Sequence, residues 1–225
     1  MAGARSAGVD GVAATVVLLR DGDAGPEVLL LERPRHRGSF AGAWVFPGGA
    51  VDPGDTEPRD TEEEHAARRA AVRETREETG LEVAADGLVA VSVWSPPASA
   101  PKRMRTWFYY SIAPAGDPVL AADEAIGFRW IRPGEALTAH AAGELSLVPP
   151  TWVTLHGLAS ASSVAEALSR ARSGEVQHYV TRLVAAGNVV LWEGDIAHAD
   201  ETLLESDGPR HRLEISSLPW LYRRS

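Results

Sequence analysis

The chain has 225 residues, of which 44% are hydrophobic and 24% charged; it carries a formal net charge of -9 at pH 7 and no cysteine. These are the proportions of a folded protein, long enough for one sizeable domain with an appendage or for two small ones. The negative balance excludes general electrostatic capture of nucleic acid, and the lack of cysteine excludes disulfides and thiolate metal sites.

Residues 1 to 10 are small and polar, without the apolar stretch of a secretory signal, so a leader is not expected. Val12 to Leu19 and Glu27 to Leu31 are apolar runs around Asp21-Gly22-Asp23-Ala24-Gly25-Pro26, which predicts two strands joined by a turn. A basic segment follows, Arg33-Pro34-Arg35-His36-Arg37-Gly38, and then Trp44-Val45-Phe46 runs as a strand end into Pro47-Gly48-Gly49. Residues 52 to 60 are acidic and rich in turn formers. Thr61 is then expected to cap a helix, Glu64 to complete a capping box, and Gly80 to end the helix. Leu88 to Trp94 and Thr106 to Ile112 read as strands across a proline-rich loop; Phe128 to Ile131 is a short strand, and Pro133 starts a helix to about Ala142. Strands, helix, strands, helix in that order predict an α/β sandwich around a mixed sheet.

Beyond Leu147 the pattern changes. Pro149-Pro150-Thr151 opens a helix with Trp152, Leu155 and Leu158 on one stripe, and Ser162 to Arg172 forms a second. Gln177 to Leu183 and Asn188 to Trp192 are strand-like, and a segment rich in His and Asp follows. His198, His211, Asp195 and Asp200 offer either a second metal site or, from their irregular spacing, a solvated loop. The expected division is a domain over residues 10–145 and an extension over 146–225, too short to bury its own core and therefore packed on the first domain. Two roles suit it: covering the pocket, or making a homodimer contact. No run reaches the ~18 to 20 apolar residues of a membrane span, and the terminal Tyr222-Arg223-Arg224-Ser225 is not a peroxisomal address. A soluble, cytoplasmic protein without a membrane or nucleic-acid partner is expected.

The chemistry concentrates in Arg73-Glu74-Thr75-Arg76-Glu77-Glu78-Thr79-Gly80-Leu81. Residues three and four apart share a helix face, so Glu74, Glu77 and Glu78 are neighbours. Like charges at that spacing repel, and a divalent cation relieves the repulsion. Mg²⁺ suits such a site because it takes one or two carboxylates, keeps waters and binds substrate phosphates. A salt-bridged, solvated helix face is the plain alternative. Two features favour the metal: Ala67, Ala70 and Ala71 lead into the glutamates on the inward side, and the Phe46-Pro47-Gly48-Gly49 turn lets backbone approach both the helix and a diphosphate.

The two pieces together resemble the Nudix box, Gly-x5-Glu-x7-Arg-Glu-aliphatic-x-Glu-Glu-x-Gly-aliphatic. Gly49 matches its first glycine, and Arg73, Glu74, Glu77, Glu78, Gly80 and Leu81 match its second half. The chain departs at three points: Asp55 takes the first glutamate's place, Thr75 the aliphatic one, and an insertion over roughly residues 56–67 separates the halves. The resemblance covers about residues 10 to 140. It implies a Nudix α/β/α sandwich with a mixed sheet, here followed by a helical and stranded extension.

The same resemblance implies a hydrolase that uses Mg²⁺ or Mn²⁺ to cleave the phosphoanhydride of a nucleoside diphosphate linked to another moiety. Glu74, Glu77 and Glu78 would hold the metal, with Arg73 orienting them. Glu74, or Glu124 six residues before Trp130, would serve as base. Arg33 and the run Phe40-Ala41-Gly42-Ala43-Trp44-Val45-Phe46-Pro47-Gly48-Gly49 with Asp52 look most like the coenzyme A diphosphatase branch, peroxisomal type. Gly194-Asp195 and Gly208-Pro209-Arg210-His211-Arg212 are similar to that branch's C-terminal extension. Coenzyme A or an acyl-CoA is then the implied substrate, bound through Arg33, Trp44, Gly48 and Gly49. Arg35 and Arg37 offer further phosphate grips or a solvated basic loop; Trp94, Trp107 and Tyr109, like Trp44, offer stacking faces or core. Two other functions remain open: a catalytically silent nucleotide-binding module, and a housecleaning pyrophosphatase for modified nucleoside triphosphates.

Overall fold

The computed structural model describes residues 9–36, 40–121 and 123–225. Two long strands form first, β1 (Gly11–Gly22) and β2 (Gly25–Glu32), paired antiparallel through a tight turn in which Gly25 takes φ of 124°. Both strands are apolar on both faces, because both faces are covered. Val16, Leu18, Leu29 and Leu31 point to one side; Val17, Leu19, Val28 and Leu30 point to the other.

After the short strands β3 (Trp44–Val45) and β4 (Gly48–Ala50) comes the long helix α1 (Glu63–Thr79), ended by Gly80 in the left-handed conformation. Its start differs from the sequence expectation. The helix begins after Glu62 without a side-chain cap, and Thr61 caps nothing. Glu64 accepts from Arg68 one turn on instead of reaching back. The turn ahead of the helix is organised by Asp60, which accepts from the Glu57 N–H and from the Arg69 guanidinium. Asp60, with Arg69 from the helix itself, organises the entry turn, and no capping box forms there.

Strands β5 (Val89–Ser95), β6 (Met104–Ile112) and β7 (Gly127–Ile131) follow, then helices α2 (Pro133–Ala141), α3 (Pro149–Leu158) and α4 (Val164–Ser173). β6 runs parallel to β1 along nine residue pairs while β5 runs antiparallel to β6, so the sheet is mixed as expected. The predicted strand Gln177 to Leu183 divides at Thr181. β8 (Gln177–Val180) adds to the main sheet beside β5, whereas β9 (Arg182–Val184) starts a second sheet with β10 (Val189–Leu191), β11 (His211–Glu214) and β12 (Leu221–Arg224).

The main sheet has two different covers. Ala67, Ala70 and Ala71 of α1 lie against Ala14, Val16, Leu18 and Tyr109 on one face. On the other face, Trp152, Leu155, Leu158, Val164 and Leu168 of α3 and α4 join Val190, Trp192 and Leu213 of the second sheet in one continuous core. Residues after 145 therefore pack against the face opposite α1. Among the described residues, the extension's core contacts thus lie on the face opposite the one that carries α1.

Candidate active site

The site grows from the last turns of α1. Small residues at 67, 70 and 71 bring the helix axis close to the sheet, and the next inward positions are then Thr75, Glu78 and Thr79, all buried. Thr75, the departure from the aliphatic consensus, satisfies its buried hydroxyl by donating to the Ala71 carbonyl at 2.7 Å. The three glutamates are graded in exposure. The side chain of Glu78 is 4% exposed, that of Glu74 17% and that of Glu77 56%. Glu78 continues the inward stripe, Glu74 flanks it half-buried, and Glu77 faces outward, so the three glutamates do not all lie on the inward side.

The glycine turn supplies the facing wall. At Gly48 a β-carbon would stand 2.2 Å from the Ala14 carbonyl oxygen, and φ is 154°, so no side chain fits. The Gly48 N–H donates to Glu78 Oε2 at 2.8 Å. At Gly49 a β-carbon would fall 2.4 Å from the Glu74 carboxylate. The space a side chain would fill is held by a carboxylate, and backbone lines it from the other side.

Arg73 gathers the cluster. One Nη donates to Glu74 Oε1 and Glu77 Oε2, both at 2.9 Å, and the other donates to the Ala50 carbonyl at 2.9 Å and to Asp55 Oδ2 at 2.7 Å. Asp55 is buried and also accepts from Arg73 Nε. Burial works to raise the Asp55 carboxyl, but the Arg73 bonds and the Asp52 N–H outweigh it and hold the group below its ordinary value. The same bonds keep the guanidinium firmly protonated.

Glu78 is the opposite case. Burial pushes it up to about 7, against the Gly48 N–H and Arg33, with Glu74 and Glu124 adding repulsion. Burial also raises Glu74. Arg33 donates from one Nη to Glu78 Oε1 at 3.0 Å and to Glu124 Oε2 at 3.5 Å. Glu124, half-exposed, is brought here by its loop: the N–H groups of Val119 and Ala121 donate to the carbonyls of Thr79 and Glu78 at the end of α1.

The structure thus brings together Arg33, Gly48, Gly49, Arg73, Glu74, Glu77, Glu78 and Glu124, and adds Asp55. Asp55 was visible in the sequence only as a departure. Trp44 does not belong to the group. Its ring is 7% exposed within the core, with the Arg129 guanidinium 4.9 Å from its centre, so it presents no open face for stacking. Trp94 and Tyr109 are also core, and Trp107 binds Glu63 through its indole N–H. Arg35 is mostly exposed and paired with Glu32; Arg37 lies outside the described residues.

Among the described residues, no three His, Asp or Glu side chains are gathered as a ready metal cage, since the glutamate oxygens turn to arginines. The donor chemistry nonetheless fits a divalent cation. Two of the carboxylates are raised by burial, and the Glu74 carboxylate lies directly against the Gly49 backbone, where a β-carbon would collide with it. A cation is the ligand that relieves such a surplus.

Among the described residues, His198, His211, Asp195 and Asp200 of the tail are not gathered into one cluster. Asp195 accepts from Arg212 Nε at 2.7 Å and Nη2 at 2.6 Å, and from the N–H groups of His211 and Ala197. The solvated-loop reading fits only part of the group: Asp200 is exposed in its loop, whereas Asp195 is buried with Arg212 and His211 lies in β11 against Tyr179 and Trp192. The Gly194-Asp195 and Gly208 to Arg212 segments are two halves of one ion pair.

Comparison with known proteins gives the family context. The NUDIX domain family model matches residues 10–149. A Caenorhabditis elegans protein named "Putative nudix hydrolase 7" is 29% identical over 161 residues, 55% of this chain and 52% of its own. The chain therefore spans about half the length of that curated relative. The crystal structure of a NUDIX hydrolase from Alicyclobacillus acidocaldarius superposes with a TM-score of 0.63 at 25% identity, covering 72% of this chain and 97% of that one. The NUDIX domain of Shewanella oneidensis NrtR, solved with ADP ribose, shares the fold at a TM-score of 0.50 and 15% identity, over 66% of this chain and 86% of that one.

Proposed function

The chain belongs to the Nudix domain family, and from that membership and the site we propose a divalent-metal-dependent hydrolase that cleaves the phosphoanhydride of a nucleoside diphosphate linked to another moiety. The observation that carries this reading is the surplus of carboxylate on one face of α1, held by Arg73 against the side-chain-free Gly48–Gly49 wall. Glu74, Glu77 and Glu78 would hold Mg²⁺ or Mn²⁺. Bound there, the cation polarises phosphoryl oxygens and makes water more acidic.

The chain's own groups do the rest. Arg73, fixed by Asp55 and the Ala50 carbonyl, aims two of the glutamates. Arg33 lies beside Glu78, where a guanidinium can take two phosphoryl oxygens at once. The attacking water gives its proton to Glu74 or Glu124; E124Q separates the two, since loss of the base lowers kcat by roughly 10²- to 10⁴-fold, whereas E74Q lowers turnover either way because Glu74 also holds the cation. Coenzyme A or an acyl-CoA is the substrate we favour, on the Arg33, Phe40 to Gly49 and tail resemblance.

The test is a panel of coenzyme A, ADP-ribose, NADH, a dinucleoside polyphosphate and an oxidised nucleoside triphosphate, each incubated with protein and Mg²⁺ or Mn²⁺. The expected result is cleavage of coenzyme A to two phosphate-bearing products. Cleavage of another compound overturns the substrate, and tight binding without any product overturns the enzyme.

A further inference from the structure

We propose that Arg33 is a displaceable counter-ion that occupies the carboxylate site in the metal-free protein and is released towards the substrate's phosphates when a divalent cation binds. This rests on the metal-site reading above and goes beyond Arg33 as a simple phosphate grip.

The argument begins with charge. Asp55, Glu74 and Glu77 share Arg73, which also bonds the Ala50 carbonyl and is committed in every direction. Glu78 has no bond to Arg73. Its two oxygens go to the Gly48 N–H and to Arg33, and it is the most buried of the three glutamates. Without Arg33, Glu78 would be a buried carboxylate with a single neutral donor, and a buried charge left so poorly compensated is costly.

The two arginines are anchored differently. Arg73 stands on a helix and bonds carboxylates on both sides, including buried Asp55. Arg33 stands beyond the end of β2, its backbone held by the Ala43 carbonyl at 2.9 Å and the Gly42 N–H at 3.3 Å, while its side chain bridges Glu78 at 3.0 Å and half-exposed Glu124 at 3.5 Å. The backbone is fixed and the guanidinium is lightly held. A divalent cation drawn to Glu78 brings twice the charge to the same oxygen and repels the guanidinium. A charge so freed is already beside the cation, where the substrate's phosphates arrive. Metal would then bind before substrate, and the arginine would be the link between the two events.

The test is calorimetric titration of metal-free protein with Mn²⁺ alone, without substrate, for the parent and the R33Q, R33A and E78Q variants. Removing an internal competitor tightens metal binding, so R33Q and R33A should bind Mn²⁺ more strongly than the parent by about fivefold, the size of one screened charge contact. Their KM for the cleaved substrate should rise in the same variants. A residue that merely grips phosphate leaves Mn²⁺ affinity unchanged, and one that merely supports the fold weakens it; either result overturns the proposal. R33Q keeps hydrogen-bonding capacity, so it remains readable if R33A does not fold. If the parent and E78Q titrate identically, the metal-site reading itself fails, and the counter-ion role fails with it. A parent that binds Mn²⁺ through Glu78 with R33Q unchanged refutes only the counter-ion role.

Discussion

Around α1, six carboxylates, Asp52, Asp55, Glu74, Glu77, Glu78 and Glu124, share the two guanidinium groups of Arg73 and Arg33. In the C-terminal sheet, Asp195 and Arg212 face each other one to one, and both oxygens of the carboxylate are satisfied. Burial acts on both groups in the same sense, yet the outcomes are opposite. Glu78, the more deeply desolvated of the two, is pushed up to about 7 because its partners do not offset burial, while Asp195, against a weaker desolvation, is held down at about 2 by Arg212 and two backbone donors. A balanced buried pair is a staple. An unbalanced one is a site waiting for charge.

The contrast can be broken first at Glu78. Glu78→Gln keeps the shape of the side chain and removes its charge, and should lower metal-dependent turnover by roughly 10²- to 10³-fold, the rate equivalent of several kcal/mol of lost electrostatic stabilisation. Its melting temperature should stay within about 4 °C of the parent's. Initial rates and a thermal melt on the same preparation check both halves. A large loss of stability would make Glu78 a staple as well.

Arg212→Ala should behave the other way round. Leaving Asp195 buried without its partner costs about 3–5 kcal/mol, read as a lower midpoint in urea. Turnover per folded molecule should hold, because the pair lies with the core on the far side of the sheet from α1. Lost activity in a fully folded R212A preparation would mean that the two regions are coupled.

Acid sharpens the same difference. Because the folded value of Asp195 lies below its ordinary 3.8, the pair's contribution is complete above about pH 4 and is lost as pH falls towards 2, a drop of about 2 kcal/mol. Stability measured by urea melts between pH 5 and pH 2 should show that slope in the parent and a flatter one in Asp195→Asn. Equal slopes would remove the pair from the acid response.

The smallest effect is expected at Asp55, which acts through Arg73. Asp55→Asn should reduce turnover about 10- to 100-fold, as for a residue that orients a ligand rather than supplying one. Asp55→Glu, the residue of the family pattern, should restore most of it. Failure of that rescue in kcat would show that the shorter side chain is fitted to this loop.

The sequence made the carboxylate helix legible because its signals are local. Glutamates three and four apart, alanines one turn before and a terminal Gly80 all lie within one stretch. The α/β sandwich with a mixed sheet was likewise readable from the order of the apolar runs. What escaped depends on partners far along the chain. Thr61 and Glu64 have the form of a capping box, but Asp60 and Arg69 settle the turn. Arg212 and Asp195 stand 17 residues apart, so their pairing, and with it β11 and β12, was hidden in a segment that reads as a polar tail. Trp44 has the composition of a stacking platform, and only the packing of β3 against residues 146 and 147 puts it in the core. Arg33 reads in the sequence as a substrate group, whereas its bridge from Glu78 to Glu124 needs the loop before β7 folded back on α1.

The central claim is that the carboxylate surplus on α1 is a catalytic metal site. It is tested most directly by following hydrolysis of the cleaved substrate while Mg²⁺ or Mn²⁺ is titrated into chelator-treated parent and E78Q protein. The account predicts no turnover without metal, saturable activation of the parent, and at least a hundredfold loss in E78Q at every metal concentration. Turnover that persists in chelator, or an E78Q curve that overlays the parent's, would contradict it.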